Sequence, residues 1–239
     1  MSEADLSKRR IRRNRRDEVL DAARRLLFEN GYRATSMQQV AAEAGYSKRT
    51  VYLDYLNKDD LFTSVCAEGL ELLLAKLREV PWQRTPLDDC IDRFLEVYID
   101  FSHEHPGYFR MIFSEATPAI IANCSGQLRK RVAELERACL AVLVALVERA
   151  ASEGAIRGID PWEAAGIMVG SATGIILLSM GGSQTVFSKG TLDALVTRAV
   201  RTLWRGLRSL DAPDRPAGGR EGRLVRRSQG AGSKRARAT

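Results

Sequence analysis

The sequence predicts an all-α protein of about nine helices, and three observations support that class. Nearly every apolar segment repeats at the three- and four-residue spacing of a helix, and no long alternating run favours a sheet. Short helical segments separated by glycine and capping residues occupy the first 60 residues. Longer segments follow, and 45% apolar residues in a chain of 239 are enough for a substantial core. We therefore expect a small three-helix unit at residues 14–60 and a larger helical bundle at residues 61–210.

The first two helices of the small unit follow from local signals. The first is predicted over residues 14–30 with one apolar face, and Gly31 ends it. Thr35 and Gln38 have the spacing of a capping box, in which each side chain satisfies a free backbone group of the other residue. A short second helix with its apolar residues on one side is expected to begin there.

The third and fourth helices begin at capping residues. Gly45 permits the left-handed backbone of a tight turn, and Ser47 is then the N-cap of a third helix predicted over residues 48–56. Asn57 caps a fourth helix over residues 58–79. Two helices separated by a glycine turn have the helix-turn-helix arrangement, which places its last helix in the major groove of DNA.

The third helix has two different faces. Val51 and Tyr55 are four residues apart and are predicted to face the core, whereas Lys48, Arg49 and Tyr52 are predicted to face outward. Cations in a first turn are unfavourable for the helix itself, so a stability-only sequence would have acids there. Arginine and lysine can read acceptor edges of bases. The alternative for this pair is an ordinary solvated face.

These residues resemble a known family. The stretch "TSMQQVAAEAGYSKRTVYLDYLNKDDLF" is similar to the DNA-binding domain of the TetR family of bacterial regulators, and the resemblance covers about residues 15–62. It departs from the family at Arg49 and at Leu53-Asp54, so the operator sequence cannot be transferred. The resemblance implies these DNA-contacting residues: Thr35, Ser36, Gln38, Tyr46, Ser47, Lys48, Arg49, Thr50, Tyr52 and Lys58.

Both ends of the chain are basic. Residues 1–16 carry seven Lys or Arg against Glu3 and Asp5, and residues 211–239 carry eight against three acids. We predict a disordered arm at residues 1–13 and a disordered tail at residues 211–239. Basic arms are suited to a polyanion such as DNA. The alternative is that they are solvated segments that improve solubility.

Beyond residue 80 the sequence predicts only the helical layout. Five further helices are expected at residues 87–104, 108–115, 125–153, 161–180 and 191–210. The uncharged segment Ala164–Gln184 approaches the length of a membrane span, but five of its residues are glycine. A helix buried in a bundle or in a subunit interface is the better interpretation, with a membrane-associated protein as the remote alternative.

The resemblance implies what the larger bundle does. It implies a homodimer that binds a palindromic operator and is released from it by a small ligand, and we predict that the regulator is a repressor. The absence of charged residues at 139–147 and 164–180 favours an apolar or amphipathic ligand. Candidate ligand-binding residues are Phe94, Tyr98, Phe101, Tyr108, Phe109, Phe113 and Trp162. Candidate dimer-interface residues are Gly166, Gly170, Gly174, Leu195, Val196, Val200, Leu203 and Leu207. Three alternatives stay open: the aromatic residues are ordinary core, the apolar stripe from Leu195 to Leu207 packs only within the subunit, or the regulator is constitutive or controlled by a partner protein.

Other functional classes lack support in the sequence. The four cysteines are far apart and fit a reducing cytosol, and the charged N-terminus does not have the form of an export signal. His103 and His105 are two residues apart on a helix and point in different directions, so we predict no metal site. No catalytic triad order or phosphate-binding glycine loop is present, so we predict no enzyme activity and no cofactor.

Overall fold

The computed structural model describes residues 3–181 and 189–209, and all of the regular structure within those ranges is helical. The ten α-helices are α1 (Glu3–Ala34), α2 (Met37–Glu43), α3 (Lys48–Tyr52), α4 (Lys58–Arg78), α5 (Leu87–Glu104), α6 (Pro106–Arg110), α7 (Pro118–Asn123), α8 (Gly126–Ser152), α9 (Pro161–Met180) and α10 (Lys189–Ser209). A 3₁₀ turn spans Trp82–Arg84, and a π-helical turn, Met111–Glu115, directly extends α6. The all-α prediction is confirmed.

The N-terminal arm is helical from Glu3, which corrects the prediction of disorder for residues 3–13, while residues 1–2 lie outside the described residues. Helix α1 begins at Glu3 rather than near residue 14, and its backbone breaks at Gly31, where φ is +74°. The extra turns contain no proline or glycine, and they are held by ion pairs from Arg12 and Arg15 to Asp54. The predicted tail, residues 211–239, lies outside the described residues.

The capping box of α2 lies one residue later than predicted. Ser36 Oγ accepts a hydrogen bond from Gln39 N at 3.3 Å, and Gln39 Oε1 accepts one from Ser36 N at 2.8 Å. Thr35 instead donates its hydroxyl proton to the carbonyl of Gly31 at 2.9 Å. Two overlapping pairs in the sequence have the same spacing, and burial of the Thr35 side chain selects the second pair.

Three further segments differ from the sequence prediction. Helix α3 ends at Tyr52 rather than at residue 56, because the turn after it directs Asp54 and Tyr55 inward. The helix predicted at residues 108–115 is divided into α6 and the π-helical turn, which a hydrogen bond from Ala116 N to Met111 O (2.8 Å) closes. Helix α7 was not predicted, since it is too short for a clear apolar period.

Helix α4 is shared by the small unit and the larger bundle. It packs against α1 on one side and against α8, α7 and α5 on the other. Its buried side chains run along most of its length, from Leu61 to Leu77. Helices α8, α9 and α10 pack successively on one another and complete the bundle. Helix α4 therefore packs in both the small unit and the larger bundle and joins them.

The C-terminal half of α1 also contacts α6 and the π-helical turn. Arg110 donates to the carbonyl of Phe28 at 2.7 Å, and the backbone N–H of Tyr32 donates to Glu115 Oε2 at 3.1 Å. A Cβ atom added to Gly107 would lie 2.6 Å from the ring of Phe28, so the two elements touch at this glycine. These contacts fix the position of α1 relative to α6.

Helix α9 is apolar enough, by length and composition, to span a membrane, and no other helix in the described ranges is. One of its faces packs against α8 and α10. The buried residues of that face are Ala164, Ala165, Met168, Ala172 and Ile176. The opposite face is exposed in the single chain, so burial within the bundle is confirmed for one side, and burial of the other side in a subunit interface stays a prediction.

Candidate nucleic-acid interface

The turn between α2 and α3 is built by a glycine and a serine cap. Gly45 has φ of +73°, a conformation that glycine adopts without strain. Ser47 Oγ accepts a hydrogen bond from Thr50 N at 3.1 Å and lies 2.8 Å from Thr50 Oγ1. Because Val51 and Tyr55 are buried beneath it, α3 has a fixed orientation. The helix-turn-helix is therefore formed as the sequence predicts.

The outward face of α3 is cationic and aromatic. Lys48, Arg49 and Tyr52 are exposed, and Lys48 Nζ lies 5.9 Å from the centre of the Tyr52 ring. Six predicted contact residues are exposed: Ser36, Gln38, Ser47, Lys48, Arg49 and Tyr52. Tyr46 and Thr50 are partly buried at the edge of this face. Eight of the ten predicted residues are thus exposed or partly buried, and their side chains carry hydrogen-bond donors or positive charge of the kind that contacts DNA.

Asp54, the acidic residue that follows α3, is removed from that surface. Its side chain is 0% exposed, and its two oxygens accept from Arg12 Nε at 3.1 Å and Arg15 Nε at 2.7 Å. Burial alone would raise the pKa of Asp54, but the hydrogen bonds from Arg15 and Arg12 outweigh burial and lower the pKa below its usual value. The carboxylate is thus neutralised internally. The sequence did not predict this pairing, because Asp54 lies 42 residues from Arg12 and 39 residues from Arg15.

Thr35 and Lys58 are corrections to the predicted contact set. Thr35 is buried, and its hydroxyl is bonded to backbone carbonyls. Lys58 Nζ donates to the carbonyls of Tyr32 at 2.9 Å and Thr35 at 3.0 Å, and lies 4.0 Å from the centre of the Tyr32 ring. Both residues are engaged in joining the end of α1 to α2 and α4. Their side chains are therefore engaged within the chain, and these two residues are not candidate DNA contacts.

Replacing Lys58 with methionine is expected to lower the free energy of unfolding by about 1–3 kcal/mol, since two partly buried carbonyls lose a charged donor. The salt dependence of DNA binding should stay unchanged. Urea unfolding and binding titrations at several salt concentrations measure the two quantities. Lys130→Met is the control, because Lys130 is exposed on α8. If the Lys58→Met protein keeps its stability and its slope of log affinity against log salt becomes shallower by about 0.9, Lys58 does contact a phosphate.

Five of the predicted ligand-binding residues form one aromatic cluster. Tyr98 is at its centre, with ring centres 6.0 Å from Phe94, 5.6 Å from Phe109 and 5.9 Å from Phe113. Phe101 adjoins Phe109. The Tyr98 hydroxyl is 2.6 Å from Thr173 Oγ1, and burial raises the pKa of Tyr98, which keeps it neutral. The cluster thus joins α5, α6, the π-helical turn and α9.

The other two predicted ligand-binding residues lie elsewhere. Tyr108 faces α1 and α4, where its hydroxyl donates to Glu68 at 3.2 Å and its ring meets Phe28 edge-on. Trp162 is covered by the guanidinium of Arg137 at 4.1 Å. A groove of about 700 Å³ follows the outer side of α5, but it is lined largely by charged residues and by none of the seven predicted aromatic residues.

The predicted dimer-interface residues divide into three groups by burial. Val196 and Val200 are 0% and 2% exposed and pack inside the chain, which corrects their assignment to a subunit interface. Leu195, Leu203 and Leu207 are half-buried. By contrast, Gly166, Gly170 and Gly174 are exposed, and a Cβ atom added to any of them would meet nothing within 4 Å. With Ile167 and Leu178 they give α9 an exposed apolar face.

The two histidines contact acidic residues separately. His103 Nε2 lies 3.3 Å from Asp193 Oδ1 on α10, and His105 Nε2 lies 3.8 Å from Glu104. Within residues 3–181 and 189–209, no group of three His, Cys, Asp or Glu side chains is placed to hold a metal ion.

Comparisons with known proteins agree with this geometry. The chain matches the model for "Bacterial regulatory proteins, tetR family" over residues 19–65 and the model for "Tetracyclin repressor-like, C-terminal domain" over residues 91–203. It is 26% identical to the uncharacterized transcriptional regulator YhgD of Bacillus subtilis over 156 residues, which are 65% of this chain and 79% of YhgD.

Two solved structures have the same fold. FadR of Bacillus subtilis, in complex with stearoyl-CoA, aligns with a TM-score of 0.63 at 20% identity over 79% of this chain and 97% of that one. AibR, in complex with isovaleryl coenzyme A and operator DNA, aligns with a TM-score of 0.57 at 20% identity over 80% of this chain and 98% of that one. The helix-turn-helix surface and the two matching domain models lead to one conclusion: this chain belongs to the TetR family of bacterial DNA-binding transcriptional regulators, and it is not an enzyme.

Proposed function

We propose that this protein is a homodimeric, cytoplasmic repressor that binds a palindromic operator and leaves it when an amphipathic acyl ligand, such as an acyl-CoA thioester, occupies the larger bundle. The observation that supports DNA binding is the exposed face formed by Lys48, Arg49 and Tyr52 on a helix whose other side is buried in the core. Its donors and positive charge complement phosphates and guanine acceptor edges.

The exposed face of α9 supports the dimer. One helix-turn-helix reads too few bases for useful specificity, whereas a two-fold dimer reads two half-sites about 34 Å or a multiple of that apart. Gly166, Gly170 and Gly174 would let a second helix approach closely, and Ile167 and Leu178 would be covered by it. A large apolar surface on a soluble chain is usually an interaction site.

The position of the aromatic cluster supports the ligand. Phe113 belongs both to the cluster and to the π-helical turn, and Glu115 in the same turn accepts from the backbone of α1. A ligand that displaced the cluster would act on α1 through that turn. FadR and AibR, which share the fold, are described with acyl-CoA molecules. Such coupling between two sites is typically 1–3 kcal/mol, or about 5- to 150-fold in affinity.

The experiment is a binding titration of the full chain with labelled DNA from the promoter region next to its own gene. We expect saturable binding by a dimer, competed poorly by unrelated DNA of equal length. Palmitoyl-CoA should weaken this binding by about 5- to 150-fold, whereas coenzyme A alone should not. Equal affinity for both DNAs would reject a sequence-specific regulator, and an unchanged affinity with acyl-CoA would reject this ligand class.

A second candidate is a regulator without a small-molecule effector. The burial of the cluster favours it, because Phe101 and Phe109 are fully buried and no space for a ligand separates their neighbouring rings. In that case DNA binding would be sequence-specific but insensitive to acyl-CoA, free fatty acids and aromatic compounds alike.

A further inference from the structure

The first four turns of α1 are a feature of this chain beyond the matched DNA-binding domain. The family model begins at residue 19, whereas α1 begins at Glu3. We refer to residues 3–18 as the N-terminal extension. It contains the seven N-terminal cations and is a continuous part of the helix that supports the helix-turn-helix.

Asp54 attaches the extension to the helix-turn-helix. Arg12 and Arg15 come from successive turns and use their Nε atoms on the two oxygens of this carboxylate, at 3.1 Å and 2.7 Å. Asp54 lies two residues beyond the end of α3. Since one buried carboxylate joins both arginines to this point, the extension has a defined position beside α3.

Other contacts continue the attachment toward the turn. The guanidinium of Arg16 lies 5.0 Å from the centre of the Tyr55 ring, and the Tyr55 hydroxyl donates to the carbonyl of Arg16 at 3.0 Å. The Tyr46 hydroxyl donates to Glu18. Both tyrosines belong to the helix-turn-helix, so the extension runs along its side.

The N-terminal extension keeps an excess of positive charge. Its seven Lys and Arg are opposed by Asp54 and by four acids of the same segment, which leaves a net charge of +2; these four are Glu3, Asp5, Asp17 and Glu18. Arg9, Arg10 and Arg13 are exposed on the turns next to the Asp54 attachment. Like charges three or four residues apart on a helix repel one another. This excess of positive charge favours a polyanion. A helix that is already ordered also loses less conformational entropy on binding than a disordered arm.

We infer that the N-terminal extension is a second DNA-contacting element, held beside α3 by Asp54, which binds the phosphate backbone next to the half-site that α3 reads. The inference rests on the proposed DNA binding and adds to it. The extension lengthens the contacted DNA without changing which bases are read, because phosphate contacts carry little sequence information.

The test compares the full chain with the variant Arg9→Gln/Arg10→Gln/Arg13→Gln on promoter DNA. We expect the slope of log affinity against log salt to become shallower by roughly 0.9 for each lost phosphate contact, and so by up to roughly 2.7 for each subunit and roughly 5.4 for the proposed dimer. The affinity should fall by a similar factor on every DNA sequence. The matched control is Arg84→Gln/Arg93→Gln/Lys130→Gln, which removes the same charge from exposed positions of the larger bundle and should leave the slope unchanged.

A second arm of the test uses DNA length and the Asp54 attachment. Trimming the duplex to the operator should weaken the full chain but not the triple variant, because only the full chain reaches the flanking phosphates. Asp54→Asn should give an intermediate loss of affinity, since the extension is then no longer held in place. If the full chain binds its promoter and the triple variant has the same slope and the same response to trimming, the inference is wrong while the proposed function stands. If the full chain binds no fragment, the proposed function fails first.

Discussion

Replacing Lys48 and Arg49 together with alanine is expected to weaken binding by roughly 30-fold to 10⁴-fold at each half-site of the operator. A good contact between such a side chain and a base is worth about 1–3 kcal/mol, and two contacts give about 2–6 kcal/mol. Both side chains are exposed at the first turn of α3, where cations disfavour the helix. We therefore expect the unfolding temperature to stay the same or to rise slightly. Anisotropy titrations and thermal unfolding of the same samples measure both.

The matched control for this pair is Arg93→Ala/Lys130→Ala, which removes two exposed cations from α5 and α8. It should retain the affinity and the sequence preference of the unmodified protein at the same salt concentration. A Lys48→Ala/Arg49→Ala protein that still discriminates its operator from unrelated DNA would show that α3 is not the reading element.

Replacing Phe109 with alanine is expected to cost about 3–5 kcal/mol of unfolding free energy, the range for removing a buried phenylalanine ring. Phe109 is 0% exposed, and its ring lies 4.8 Å from Phe113 and 5.6 Å from Tyr98. The loss combines the lost burial with the cavity that remains. Urea unfolding at several protein concentrations is the measurement, because the proposed dimer would make apparent stability depend on concentration.

Phe109→Leu and Phe113→Ala are the comparisons. The first keeps most of the apolar volume and the second removes a half-buried ring, so both should cost less than Phe109→Ala. A Phe109→Ala protein that loses under about 1 kcal/mol but no longer responds to acyl-CoA would assign Phe109 to a ligand space rather than to the core.

The helix-turn-helix could be predicted from sequence because its signals are local. A glycine with positive φ at Gly45, the caps Ser47 and Asn57, and the four-residue spacing of Val51 and Tyr55 act within a few residues. The structure has each of them in the predicted role. The exposed face with Lys48 and Arg49 follows from the same spacing, since residues opposite the buried positions must face outward.

The errors concern residues whose partners are distant in sequence. Lys58 has the residue type of a phosphate contact, but its ammonium reaches the carbonyl of Tyr32, 26 residues away. Arg12 and Asp54 are 42 residues apart, and their pairing holds the helical N-terminal arm against the helix-turn-helix. Val196 and Val200 belong to an apolar stripe that fits either a subunit interface or an internal contact, and only packing against α9 decides between them.

The contacts of α1 with α6 and the π-helical turn bear on how hybrid regulators should be made from this chain. Phe28 packs against Gly107, and Arg110 donates a hydrogen bond to the carbonyl of Phe28. Specific contacts therefore join the two parts of the chain on either side of a fusion point near residue 60. A DNA-binding unit from a relative, fused at that point, would place a different side chain against Gly107. An exchange of DNA-binding units among relatives therefore requires that Pro106–Glu115 be exchanged together with the DNA-binding unit.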